Sequence, residues 1–180
     1  MDGEILKQKI YEIKLLVKEF EKFKNEFNKF YYNFLSNNCL YQIFNYNVYY
    51  LDLKNLDVFS KSKKFNKECV NKKIISLNKK NIEEIDFEIV DKFVKKYELN
   101  LSLINYYNKT FLYVLLLFYL KYISHKIEQI EKKLCINFNV IREIDKFVNF
   151  LDNLENIKKD YEDIINKYSL LKILINLKVI

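Results

Sequence analysis

The sequence predicts a mainly α-helical chain: a single domain, residues 1–180, of long antiparallel amphipathic helices, bundle or coiled-coil-like, with a small β-hairpin or irregular insert after the first helix. Three observations predict it. Phe111 to Leu120 reads F-L-Y-V-L-L-L-F-Y-L, with no charge and no amide. That is too long for an ordinary strand, and a helix apolar on every side must be buried all round or sit in lipid. Long stretches near both ends repeat apolar residues every three or four positions. Between them a single region, Tyr41 to Leu53, alternates with a two-residue period instead.

With 180 residues, half of them hydrophobic and 17% aromatic, the chain is large enough for one core and unlike a disordered polymer. Ala, Pro and Trp are absent and Arg occurs once, while Lys, Asn, Ile, Tyr and Phe abound. This is the amino-acid usage of an AT-rich coding sequence. Lysine richness therefore carries less functional meaning than usual, and Asn stands where Gly and Pro would end helices. The net charge is +7. By segment it is +1 for residues 1–38, +6 for 39–80, −3 for 81–98, +3 for 99–138 and 0 for 139–180.

From Ile5 to Phe34 the seam Leu6, Ile10, Ile13, Val17, Phe20, Phe23, Phe27, Phe30 and Phe34 predicts a long amphipathic helix. Asp2 is placed to cap it and Asn37-Asn38 to stop it. Successive Phe residues are too bulky for a narrow two-stranded coil, so the seam calls for a bundle or a partner groove. The insert at 39–80 predicts strands at Tyr41–Leu53 and Val70–Leu77, joined through a Lys-rich loop. Asn81-Ile82-Glu83-Glu84 has the form of a capping box and predicts a helix over Asn81–Glu98, although Ile85, Phe87 and Ile89 also alternate as a strand would.

The apolar run belongs to a helix expected over Leu101–Leu134. Its second half narrows to the stripe Ile123, Ile127, Ile130 and Leu134. A bilayer span needs about 20 apolar residues, and this run is stopped by Lys121, so burial in a core is the expectation. C-I-N-F-N then predicts a break, with Asn137 or Asn139 capping a last helix whose stripe is Ile144, Phe147, Leu151, Leu154, Ile157, Tyr161, Ile164, Tyr168 and Leu171. The tail from Leu171 to Val179 alternates and offers a strand.

Chemistry is sparse. The only glycine, Gly3, rules out a Gly-rich phosphate loop, and one histidine, His125, leaves no usual histidine-based metal or catalytic set. His125 and Glu128 share a helical face, a spacing that chance supplies often. Cys39, Cys69 and Cys135 are isolated, consistent with free thiols in a reducing compartment, cytoplasm or nucleus. Lys67, Lys72 and Lys73 near Cys69 would favour its thiolate, against the plainer role of a small buried hydrophobe. The pairs Glu83-Glu84 and Glu162-Asp163 lie in charged stretches expected to be solvated. The N-terminus M-D-G-E-I-L-K has no apolar signal core.

No catalytic, cofactor-binding or metal-binding residue is therefore expected, nor a small-molecule substrate. The leading expectation is a non-enzymatic intracellular assembly or interaction protein, self-associating or joined to other protein subunits. Its contacts would run through Phe20, Phe23, Phe27, Phe30, Ile144, Phe147, Leu151, Leu154 and Tyr161. The first alternative is a nucleic-acid-binding module using Lys61, Lys63, Lys64, Lys67, Lys72 and Lys73, with Phe59, Phe65, Tyr49 and Tyr50 available for stacking. The second is membrane association through Phe111–Leu120.

Overall fold

The computed structural model describes residues 3–36, 49–60, 74–77, 79–100, 102, 109–139 and 144–176. The described residues form α1 (Gly3–Leu35), β1 (Tyr49–Asp52), β2 (Val58–Ser60), β3 (Ile74–Leu77), α2 (Lys79–Glu84), α3 (Phe87–Lys96), α4 (Lys109–Asn139) and α5 (Ile144–Asn176). The chain is mainly α, with one small antiparallel sheet after the first helix. It divides into two compact units, one made of residues 1–35 with 126–164 and the other of 36–125 with 165–180.

In the first unit the seam of α1 closes against later helices. Ile13, Phe20, Phe27 and Phe34 recur at seven-residue intervals and are all buried, with Phe23 between them. Ile127, Ile130 and Leu134 of α4 and Leu154, Ile157, Tyr161 and Ile164 of α5 supply the rest of this core. The Tyr161 ring meets Phe20 and Phe23 edge-on, each at 5.9 Å between centroids, a favourable aromatic geometry. Burial pushes the Tyr161 phenol above its ordinary range, and Glu19 adds to the shift. Lys24 Nζ donates to Glu131 Oε2 at 2.6 Å, joining α1 to α4 beside an open groove of about 220 Å³.

In the second unit the sheet order is β2-β1-β3, with β1 antiparallel to both neighbours. Tyr49 pairs with Leu77 and Asp52 with Ile74, so the two predicted strand regions do pair. The strand expected over Tyr41–Leu53 is described from Tyr49 only, and that expected over Val70–Leu77 from Ile74 only; the remainder lies outside the described residues. The additional strand β2 corrects the two-stranded expectation. It exists because Asp52 turns the chain: its Oδ1 accepts from the N–H groups of Lys54 at 2.9 Å and Asn55 at 3.4 Å. Leu56 closes this turn with φ 60°, a left-handed conformation that costs a non-glycine residue about 1–2 kcal/mol. Its side chain is nonetheless buried. The tip is clasped from α3, where Tyr97 Oη donates to Leu56 O at 2.9 Å and Lys96 Nζ donates to Asn55 O and Asp57 Oδ1.

The single helix expected over Asn81–Glu98 is two. α2 ends at Glu84 and α3 starts at Phe87. Asn81 is no cap: it lies inside α2, and its Nδ2 donates to Ser76 O at 2.7 Å. The break is held by Lys121 of α4, whose Nζ donates to the carbonyls of Ile82, Glu83 and Ile85 at 2.7, 2.5 and 2.6 Å. An ammonium has three donors, and here all three meet carbonyls at a helix end, where helical partners run out; the Ile82 carbonyl also accepts from Ile85 N–H at 3.4 Å.

α4 is described from Lys109, with Ser102 in a turn and Leu101 and residues 103–108 outside the described residues, and it runs through C-I-N-F-N to Asn139. The predicted break at residues 135–139 is helical, and Asn137 and Asn139 lie in the last turn of α4 instead of capping α5. The alternating tail is also helical as far as Asn176, because α5 keeps Leu171 and Leu174 buried at helical spacing. Asp2, Asn37 and Asn38 lie outside the described residues.

Within α4, Leu112 to Leu120 are buried on every side, none more than 4% exposed. Phe118 stacks on Phe93 of α3 at 3.9 Å. Tyr119 Oη accepts from Leu99 N–H and donates to Tyr97 O, both at 2.8 Å, fixing the chain that leaves α3.

Candidate functional site

Of the seam residues expected to meet a partner, Phe20, Phe23, Phe27, Leu154 and Tyr161 are buried within the first unit of their own chain, and Phe30 and Leu151 are half-buried. Ile144 and Phe147 lie on α5, with side chains outside the described set. The chain itself covers most of this seam. Lys61, Lys63, Lys64, Lys67, Lys72, Lys73, Phe65 and Cys69 lie outside the described residues.

His125 stacks on Phe87 at 3.8 Å, and Phe87 in turn faces Tyr122, over whose ring Lys167 Nζ sits at 5.3 Å. Glu128, one turn along, is exposed. Glu83, Glu84 and Glu162 are exposed, Asp163 half-buried. Among the described residues no group of three or more His, Cys, Asp or Glu side chains gathers as a metal site, and no helix is long and apolar enough to cross a membrane.

The outer face of α1 carries the feature that sequence reasoning passed over. Lys7, Lys14, Lys18, Lys22 and Lys29 are all exposed at spacings of four and seven, which puts them on one face. At 1.5 Å per residue this ridge is about 33 Å long. None of the five forms an ion pair with a described residue. Apolar side chains stand among them: Tyr11 is 62% exposed, Leu15 43% and Tyr32 72%. With Ile5, four of the five exposed large hydrophobic residues among the described residues belong to α1. Glu12, Glu19 and Glu26 form a separate column at seven-residue spacing between ridge and seam, and Glu4 and Glu21 stand beside the ridge.

A second surface lies in the other unit. An open groove of about 230 Å³ has Leu53, Ile75, Ile85 and Ile89 as its apolar lining and Glu84 and Asp86 as a carboxylate rim. Both carboxylates are exposed, and neither pairs with a described cation. The groove exists because the chain breaks between α2 and α3, exposing the edges of both helices beside the sheet. Below it, desolvation pulls the Lys121 ammonium under the ordinary lysine range, and Glu83, Asp86 and Glu84 partly restore it.

These features define the class: a mainly α-helical protein with solvent-facing apolar and charged surfaces and no described catalytic constellation. No protein-family model, curated sequence or solved structure matches the chain.

Proposed function

We propose that this is a non-enzymatic assembly protein that docks onto another protein chain through the outer face of α1. One observation carries this reading: among the described residues exposed large apolar side chains concentrate on α1, and Tyr11, Leu15 and Tyr32 stand in line with five lysines that have no described ion partner. Apolar residues among charged ones at helical spacing suit a helix-on-protein contact, in which the apolar groups supply affinity and the charges set register. A phosphate backbone would gain little from Leu15 and would meet the flanking Glu column. The buried seams hold the fold together and leave this face available.

The test replaces Tyr11 or Tyr32 with a photo-crosslinking phenylalanine analogue in the full chain, irradiates it in its native cells, and identifies adducts with and without nuclease. A discrete protein adduct that persists after nuclease, and is lost when Leu15→Ser and Lys18→Glu are added, supports the reading. Adducts to nucleic acid alone, or no adduct from either position, overturn it.

A further inference from the structure

We infer that the protein docked by α1 is a second copy of this chain, with the ridge of one copy seated in the carboxylate-rimmed groove of another. The inference rests on the reading of α1 as a protein-docking face and names its partner.

Both halves of a complementary contact are present on one sequence. The α1 ridge offers an apolar pair one turn apart, Tyr11 and Leu15, with Lys7, Lys14, Lys18 and Lys22 around it. The groove offers the inverse: an apolar lining of Leu53, Ile75, Ile85 and Ile89 between the carboxylates of Glu84 and Asp86, with Glu83 also exposed nearby. A groove of about 230 Å³ is the right order of size for one aromatic side chain with part of an aliphatic neighbour. Tyr11, Glu84 and Asp86 are all exposed within a single molecule, so both surfaces are open to a second copy.

Charge decides between candidate partners. Two α1 ridges facing each other would oppose five lysines to five, with only Glu4 and Glu21 beside each set, and repel. The ridge against the groove sets lysines against Glu84 and Asp86, which together with Glu83 outnumber the Lys121 ammonium that acts on them. Such a contact is heterologous, joining two different surfaces. It therefore builds either a closed ring or an open chain of copies, as the rotation between them dictates.

The experiment measures sedimentation of the full-length protein up to roughly 200 µM, at low and high salt. Two charge-reversed variants accompany it, Lys14→Glu/Lys18→Glu on the ridge and Glu84→Lys/Asp86→Lys at the groove. All four positions are exposed or at a groove rim, and circular dichroism checks that each variant keeps its helices. The expected result is wild-type association that weakens with salt, at least tenfold weaker association for each variant alone, and recovery when the two variants are mixed. A wild-type chain monomeric throughout overturns the inference, as does association that ignores both charge reversals. Salt-sensitive retention on a single-stranded oligonucleotide that is lost in Lys14→Glu/Lys18→Glu, with no self-association, overturns it in favour of nucleic acid. The crosslinking test separates the two levels: a monomeric wild type whose α1 still crosslinks to a different protein removes self-association and leaves the docking face standing.

Discussion

Lys121 shows how one side chain can dictate backbone geometry at a distance. Its three N–H donors hold the carbonyls of Ile82, Glu83 and Ile85 where α2 ends, and of these Ile82 has only a long 3.4 Å bond from Ile85 N–H besides. Lys121→Met keeps the aliphatic stem and removes all three bonds. Water replaces the exposed one at Glu83, so the expected loss is about 1–3 kcal/mol in urea unfolding, with increased amide exchange around residues 85–86. Tyr119→Phe, which strands the buried Leu99 N–H, should cost a similar amount. Tyr113 gives a pH dependence whose sign is fixed. Burial pushes its phenol up to about 12 from an ordinary 10.0, so the unfolded state ionises first as pH rises. Its contribution is fully present below pH 10 and is lost as pH rises to about 12, amounting to roughly 3 kcal/mol. Tyr161 erodes stability in the same direction, whereas Lys121, held below 10.5, restores some as it deprotonates. Unfolding free energies measured from pH 9 to 12 should fall, and Tyr113→Phe should flatten that fall.

Among the elements, α1 presents two faces with opposite demands. Phe27 is fully buried, and Phe27→Ala should cost about 3–5 kcal/mol. Tyr32→Ser, on the outer face, should change stability by less than about 0.5 kcal/mol. Thermal melts of the two variants check this contrast, and equal losses would show that the outer face is covered. The seam was legible because a 3.6-residue period writes burial directly into residue order, and α1 extends only a residue or two beyond the predicted limits. The ridge was legible too, but counting charge by segment hid it: +1 over residues 1–38 averages a lysine face against a glutamate column. The division of α2 from α3 was not legible. The Lys121 that holds it lies 36 to 39 residues downstream, and the local alternation of Ile85, Phe87 and Ile89 pointed to a strand and not to a break between two helices. β2 is three residues long, too short for any period to register. The break before α5 was misplaced because Asn tolerates helix as well as ending it, so C-I-N-F-N read as punctuation while α4 passed through it.

For the whole molecule, the second unit is built largely from consecutive chain and the first is not. The first takes α1 from the start and its remaining helices from residues 126–164. Aromatic packing between Phe20 and Tyr161 therefore joins residues about 140 positions apart. Folding of the first unit should be the slower event, because it must close this loop before its core forms. Pulse-labelled hydrogen exchange during refolding should protect amides of residues 112–120 before those around Phe20 and Phe27; the reverse order would contradict this. The same arrangement governs the protein at birth. Ribosomes add roughly 5–20 residues per second, so about 7–30 s separates the synthesis of Phe20 from that of Tyr161. For that interval a strip of phenylalanines has no completed core to enter. A nascent chain of this design leaves the apolar face of its first helix uncovered until its last is made.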